Sequence, residues 1–204
     1  MKRNFYIIQN ILIAAVIIFA QSVKVHSQNF VPYQVDGKWG YQDDAKRIVI
    51  EPNFFHADEF SPENIAGVVD NYGWAIINQA GYVLLRPFVA DNKPDIFRDE
   101  NARFVYNQKF GFFDKYGRVV IAPIFDYASY FSDGMAAICF GCIMKQSGDQ
   151  SVLSDGRWGY INNKAEVIIS PMYESAGNFN DGKAQVKFHG QWLYIDKNGK
   201  AVRD

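Results

Sequence analysis

The chain has 204 residues and a formal net charge of −1, with 49% hydrophobic and 21% charged residues. This length is enough for one domain with a continuous core, and the near-neutral charge gives no electrostatic case for nucleic-acid binding. Neither quantity identifies a ligand or a partner.

The first 27 residues are predicted to be a secretory signal peptide. Two basic residues precede an apolar run over 11–20, and Val25-His26-Ser27 supplies a small-residue cleavage site. The run is shorter than the ~20 apolar residues of a membrane-spanning helix, so cleavage before Gln28 is favoured over an uncleaved anchor. The expected mature chain, 28–204, has 18 basic and 22 acidic residues, a net charge of −4. We expect it to be exported to the periplasm, the cell surface or the medium.

A motif then returns along the chain: an aromatic residue, a short turn, three aliphatic residues and Pro. Its lead aromatic residues are Trp39, Trp74, Phe110, Trp158 and Trp192. In the first four copies Pro follows thirteen residues after the lead aromatic, at Pro52, Pro87, Pro123 and Pro171. Such self-similarity is typical of small units that stack because none can bury its apolar face alone.

Within each copy the pattern predicts two strands joined by a tight turn. Residues two positions after the lead aromatic share its face of a strand, and they are Tyr41, Ile76, Phe112, Tyr160 and Tyr194. Asp or Asn then opens the turn, at Asp43, Asn78, Asp114, Asn162 and Asp196. Three residues later Gly supplies positive φ in three copies, whereas Lys46 and Ala165 replace it in the other two.

Further strands are predicted on both sides of this turn. The aliphatic triplets are apolar at every position, which favours strands covered on both faces: Ile48-Val49-Ile50, Val83-Leu84-Leu85, Val119-Val120-Ile121 and Val167-Ile168-Ile169. The fifth copy, Ala201-Val202-Arg203, is predicted to be a terminal edge strand. A preceding strand completes each copy, and the connectors are expected to wrap over the meanders, with a short helical turn as one option.

The predicted fold is therefore all-β, a tandem repeat of about five three-stranded antiparallel meanders. The meanders are expected either to close into a propeller-like ring, which removes sheet edges, or to form an open superhelical array.

The motifs Lys38-Trp39-Gly40-Tyr41, Arg157-Trp158-Gly159-Tyr160 and Phe131-Ser132-Asp133-Gly134 resemble the WG (KWG) repeats of bacterial exported proteins. The resemblance covers roughly residues 31 to 204, with departures at Trp74-Ala75, Phe110 and Trp192-Leu193. It implies a β-repeat array, often suggested to be propeller-like, with no established general activity.

One segment breaks the repeat. Residues 141–154 form an insertion rich in Ser, Gly, Gln and Asp, and they are predicted to be a loop. Cys139 and Cys142 lie where it departs from the strand. A local disulfide is favoured for this pair in an exported protein, ahead of two free thiols, and a redox or metal role has little support. The connectors Pro62-Glu63-Asn64 and Asp91 to Asp95 are further candidate contact regions.

The sequence has no nucleophile elbow, P-loop, His-Glu-x-x-His helix or dinucleotide fingerprint, and only the isolated His56 and His189 of the expected mature chain could add ligands to the Cys pair. The turn carboxylates recur once per copy, which indicates a structural role, and we expect no catalytic residues, no cofactor and no enzyme activity. The lead aromatics and their neighbours are predicted to pack between units.

The predicted function is an exported scaffold that binds a protein or a component of the cell envelope. The alternative is a glycan or cell-wall binding module with exposed rings, and an unrecognised hydrolase is the least supported option. The hairpin 190–199 resembles those of choline- and glucan-binding cell-wall repeats, which implies the glycan alternative.

Overall fold

The computed structural model describes residues 29–147 and 150–203, and these residues form strands and turns without a helix. The predicted signal peptide lies outside the described residues. The all-β prediction is confirmed, whereas the helical turn expected as an option in the connectors is absent from the described ranges. Accordingly, these ranges contain no helix of the length and apolar character that crosses a membrane.

The strands group into five units. Unit one contains β1 (Val31–Val35), β2 (Lys38–Gln42) and β3 (Ile48–Phe54). Unit two contains β4 (His56–Ala57), β5 (Ile65–Asp70), β6 (Gly73–Asn78) and β7 (Val83–Leu85). A small hairpin, β8 (Val89–Ala90) and β9 (Lys93–Pro94), precedes unit three, which contains β10 (Asn101–Tyr106), β11 (Lys109–Asp114) and β12 (Val119–Phe125). Unit four contains β13 (Tyr127–Ala128), β14 (Met135–Ser147), β15 (Gln150–Asn162) and β16 (Val167–Tyr173). Unit five contains β17 (Ser175–Ala176), β18 (Lys183–Phe188), β19 (Gln191–Asp196) and β20 (Ala201–Val202).

Each unit is an antiparallel meander whose strands lie side by side in chain order. Units two, four and five add a short strand from the preceding connector, so their sheets have four strands and not the predicted three. In unit three the chain before the small hairpin takes this edge, because the Phe88 amide donates to the Arg103 carbonyl at 2.9 Å. Among the described residues no strand joins the sheet of unit one to that of unit five.

The turn prediction is confirmed in detail. The Asp43 carboxylate accepts hydrogen bonds from the amides of Ala45 (3.0 Å) and Arg47 (2.9 Å). Lys46 and Ala165 occupy the position that Gly holds in the other copies, and both have left-handed backbones, with φ of 60° and 65°. A residue with a Cβ is strained in this conformation.

We therefore expect Ala165→Gly to raise the free energy of unfolding by about 1 kcal/mol, because glycine removes that strain. Urea denaturation followed by circular dichroism would measure it. The reciprocal control is Gly199→Ala in the equivalent turn of unit five, where φ is 80° and the expected change has the opposite sign. A destabilised Ala165→Gly protein would contradict this account of the turn.

The aliphatic triplets are covered on one face only, so the prediction of strands covered on both faces is wrong. Their third residue packs inward, and these residues are Ile50, Leu85, Ile121 and Ile169. The first two residues of each triplet are exposed because the strand is the outer edge of its sheet. Pro52, Pro123 and Pro171 lie on this edge, where a missing backbone donor hinders pairing with another chain. Pro87 instead follows β7 and bridges to Phe104 of unit three.

The core lies between consecutive units. Aromatic residues of one unit are covered by a Phe from the next connector, with ring centroids 4.6 to 4.8 Å apart in the pairs Tyr41–Phe60, Phe112–Phe131 and Tyr160–Phe179. The Tyr160 hydroxyl also donates to the Gly177 carbonyl at 2.8 Å. Burial raises the pKa of this hydroxyl, which keeps it protonated as a donor.

Two carboxylates link successive connector turns. The Gly134 amide donates to Asp99 at 2.8 Å, and the Gly182 amide donates to Asp133 at the same distance. The bonds occupy equivalent positions at the third and fourth junctions. Repetition of the sequence is thus matched by repetition of the contacts between units.

A buried ion pair holds the longer connector in place. Arg103 donates to both carboxylate oxygens of Asp95, at 2.8 and 3.0 Å, and each side chain is only 8% exposed. A third Arg103 nitrogen donates to the Ala128 carbonyl at 3.1 Å, which joins units three and four. No other unit has Arg at this position, so the pair could not be found from the repeat pattern.

Candidate functional site: the hairpin arm of unit four

The insertion predicted as a loop consists mainly of strand. Residues 141–156, here named the arm, are the outer parts of β14 and β15, which stay paired from Phe140 opposite Arg157 to the described end of the hairpin. The loop prediction is wrong because it rested on small and polar composition. Cross-strand pairing of apolar residues, such as Met144 opposite Leu153, stabilises the ribbon instead.

A disulfide between Cys139 and Cys142 lies at the base of the arm, with their Cα atoms 5.9 Å apart. The backbone is tightly folded around it. A Cβ added at Gly156 would lie 2.5 Å from the Cys142 nitrogen and 2.8 Å from the Cys139 sulfur. Gly156, with φ of 69°, is therefore needed for the disulfide to fit at this point.

The carboxylate of Asp126, in the bend between β12 and β13, fixes the base of the arm. It accepts a hydrogen bond from the Gly141 amide at 2.6 Å and is paired with the Lys109 ammonium. The hydrogen bond from Lys109 lowers the pKa of this carboxyl, so it remains ionised near neutral pH. Phe140 packs edge-on against Phe125 at 5.5 Å between ring centroids. Covalent, ionic and apolar contacts thus set the direction in which the arm leaves unit four.

Beyond its base the arm presents apolar side chains to solvent. Ile143, Met144 and Val152 are all exposed, whereas Leu153 is half-buried against the core between units four and five. The charged pair on the arm is Lys145 and Asp155, whose atoms approach to 2.8 Å. The hydrogen bond from Lys145 lowers the Asp155 pKa. Lys145 and Asp155 thus neutralise one another, whereas Ile143, Met144 and Val152 leave apolar surface exposed.

The arm also has open backbone edges. β13 pairs with β14 only as far as Cys139, and β16 pairs with β15 only as far as Trp158. Among the described residues no strand lies beside either edge past those points. The arm also contains no Pro, unlike the outer edge strands of the repeat.

The predicted repeat aromatics differ in exposure. Phe110 and Trp158 are buried, Trp39 and Trp74 are half-buried, and Trp192 is 55% exposed. Two positions further on, Tyr41, Phe112 and Tyr160 are fully buried, and Tyr194 is half-buried. The lead aromatics do not form an aligned exposed row, because each is covered wherever a following unit packs on it.

The two variant connectors make contacts between units. Glu63 lies 3.4 Å from the Lys115 ammonium of unit three. Asn92, in the turn of the small β8–β9 hairpin, accepts a hydrogen bond from the Trp74 indole at 3.1 Å. These contacts give both connectors a structural role, whereas the exposed side chains of Ile143, Met144 and Val152 on the arm have no such explanation.

Titratable groups elsewhere are dispersed. The turn carboxylates cap their own loops, and His56 contacts Asp58 at 2.9 Å on the surface beside Trp74. His189 stacks on Phe188 with centroids 4.1 Å apart. Within residues 29–147 and 150–203 no three His, Cys, Asp or Glu side chains converge as metal ligands.

Comparison with known proteins identifies the repeat. The model of a family described as WG containing repeat matches residues 39–74, 110–141 and 158–192, just over half of the chain. No curated protein matches the sequence. Among solved structures, the chain is similar to Kluyveromyces lactis Hsv2, with 12% identity and a TM-score of 0.34, over 86% of this chain and 60% of that one. The chain thus spans about three fifths of that protein, and so low a score carries no functional argument.

Proposed function

We propose that this chain, which belongs to the family of WG containing repeat proteins, is an exported scaffold. In this proposal it binds a protein partner and catalyses no reaction. The arm of unit four supports this proposal. It is the feature of the described chain that departs furthest from the repeat, and repeat scaffolds tend to carry function on such departures.

Comparison with the other units supports a role for the arm. In the other four units the corresponding hairpin closes with two residues between the paired strands, at 36–37, 71–72, 107–108 and 189–190. Unit four extends the same two strands by seven residues each, 141–147 and 150–156. Cys142 and Leu153 of this extension contact the core between units four and five, whereas Ile143, Met144 and Val152 remain exposed. Function therefore accounts for the arm better than the repeat architecture does.

The chemistry of the arm favours a protein partner. Ile143 and Val152 lie on one face of the ribbon, because the partner of Val152 is Lys145, two residues from Ile143. Apolar contact with these side chains and pairing at the open edges are both ways in which proteins bind extended segments. Because the base of the arm is held by the disulfide and Asp126, the arm loses less conformational entropy on binding. The expected net charge of −4 for the mature chain disfavours nucleic acid as the partner.

Stacking of glycans along the array has less support. That alternative requires neighbouring exposed rings, and most of the lead aromatics lie between units. Of the five lead aromatics, Trp192 is the one that is exposed.

The proposal is tested with the double variant Ile143→Ser, Val152→Ser. A partner is first captured from cell-envelope and culture fractions by cross-linking to the wild-type protein, identified and purified, and its affinity is measured by biolayer interferometry. We expect the variant to bind at least about tenfold more weakly, since two apolar contacts of roughly 1 kcal/mol each are lost.

The matched control is Val119→Ser, Val167→Ser, which makes the same kind of change at exposed strand positions of units three and four. It should bind like the wild type. Equal affinity of the arm variant and the wild type, with circular dichroism unchanged, would reject the arm as the contact.

A further inference from the structure

We propose a second binding site, independent of the arm, on the uncovered face of unit five. It is a groove of 210 Å³ lined by Gln185, Trp192, Leu193, Tyr194 and Val202. The geometry points to a neutral carbohydrate, one sugar ring of which stacks on the Trp192 indole.

Three strands build the groove. Trp192 and Tyr194 are two residues apart on β19 and therefore share a face. Tyr194 lies opposite Gln185 of β18 on one side and opposite Val202 of β20 on the other. The indole, the hydroxyl and the amide are thus held on neighbouring positions of one sheet face.

The same positions in unit four show what is unusual here. Ala137, Trp158 and Tyr160 hold the positions of Gln185, Trp192 and Tyr194, and Ile169 lies opposite Tyr160 as Val202 lies opposite Tyr194. All four side chains of unit four are buried. In unit five Trp192 is 55% exposed, compared with 8% for Trp158. Position 185 carries an amide side chain only in this copy, where the face is open to solvent in the described structure.

Two polar groups of the groove, the Tyr194 hydroxyl and the Gln185 side-chain amide, can still form hydrogen bonds with a ligand. The hydroxyls of Tyr41 and Tyr160 donate to carbonyls of the next unit, at 2.8 Å in both cases. Over the described residues neither the Tyr194 hydroxyl nor the Gln185 amide has a hydrogen-bond partner, although equivalent tyrosines are fully engaged. Each of these two groups both donates and accepts.

This combination selects the class of ligand. None of the five lining residues is charged, which disfavours ions. Lys187, which lies opposite Trp192, is paired with Glu174 at 3.9 Å. A sugar has an apolar ring face that stacks on indole and hydroxyls that donate and accept, so it matches both components of the groove.

Stacking of a second copy on this face is less favourable. The covering units carry Val, Ile or Phe at the position of Tyr33, and Ile or Phe at that of Gln42. Unit one would therefore place two polar side chains where the internal junctions are apolar, at a desolvation cost.

The site is tested by titrating the mature protein with soluble hexasaccharides of β-1,4-linked glucose, β-1,4-linked N-acetylglucosamine and β-1,3-linked glucose. Tryptophan fluorescence and isothermal titration calorimetry provide the readouts. We expect saturable binding of at least one sugar. Trp192→Ala should weaken it about tenfold or more and Gln185→Ala several-fold, because stacking and hydrogen bonding are removed in turn.

Three further variants test whether sugar binding is specific to the groove. Trp192→Phe retains a ring and should retain part of the affinity, and Tyr72→Ala removes an exposed ring outside the groove and should change nothing. The arm variant Ile143→Ser, Val152→Ser should bind sugar normally, which separates this site from the proposed function.

Three results would overturn the carbohydrate site: no saturable binding of any of the three sugars, binding that survives Trp192→Ala, or Trp192-dependent self-association in sedimentation velocity without sugar binding. The last would assign the face to a second copy of the chain.

Discussion

Replacing Trp158 with alanine is expected to lower the free energy of unfolding by about 3 to 5 kcal/mol, the usual cost of deleting a large buried aromatic side chain. Trp158 lies between units four and five, where its ring meets Tyr127 at 5.7 Å and packs in the cluster that contains Tyr173 and Phe179. Its loss leaves a cavity at a junction that both units depend on for burial. Urea denaturation monitored by circular dichroism would measure the change.

The repeat provides a matched control at the same slot. Trp192→Ala removes the same side chain from unit five, where it is 55% exposed in the described structure, and should cost no more than about 1 kcal/mol. The difference between the two variants isolates the effect of packing between units from that of residue type. Equal destabilisation of the two proteins would contradict the assignment of the core to the junctions.

Removing one partner of the Asp95–Arg103 pair is expected to destabilise the fold by about 3 to 5 kcal/mol, because the remaining charge stays buried without compensation. Asp95→Leu leaves the guanidinium against Phe88, 4.6 Å from the ring centre, with the Ala128 carbonyl as its remaining acceptor. The measurement is again the free energy of unfolding in urea, at low and high salt.

The double variant Asp95→Leu, Arg103→Met distinguishes charge burial from general disruption. Apolar replacement of a whole buried pair is often near neutral, so the double variant should be more stable than either single variant, with a coupling energy of about 2 kcal/mol or more. Lys145→Met breaks an exposed pair on the arm and should leave the free energy of unfolding nearly unchanged, because solvent screens that pair. Additive effects of Asp95→Leu and Arg103→Met would refute a direct interaction.

The sequence predicted the repeat well because its signals are local. Asp or Asn at the turn and the thirteen-residue spacing to Pro define strand, turn and strand without reference to distant residues. The left-handed conformations of Lys46 and Ala165 followed from the same register. Apolar triplets misled the prediction, since hydrophobicity cannot distinguish a strand covered on two faces from an edge strand with exposed aliphatic residues.

The candidate sites were less predictable. The composition of 141–154 suggested a loop, whereas pairing across the hairpin extends both strands into an arm. The Asp95–Arg103 pair joins residues eight positions apart whose burial depends on the neighbouring unit. Trp192 and Trp158 hold the same position in the motif, and the departures at Leu193 and Arg203 did not show that the Trp192 ring would be exposed.

The sequence by itself determined the repeating unit, its turns and the residues that face the core, since these depend on backbone preference and on the two-residue period of a strand. Only the tertiary structure decided which identical positions are covered, how far the arm extends and where a polar group remains without a partner. Whether a side chain is buried depends on the residues that lie next to it in space. Equivalent residues of successive units therefore differ in burial where one is covered by the next unit and the other is not.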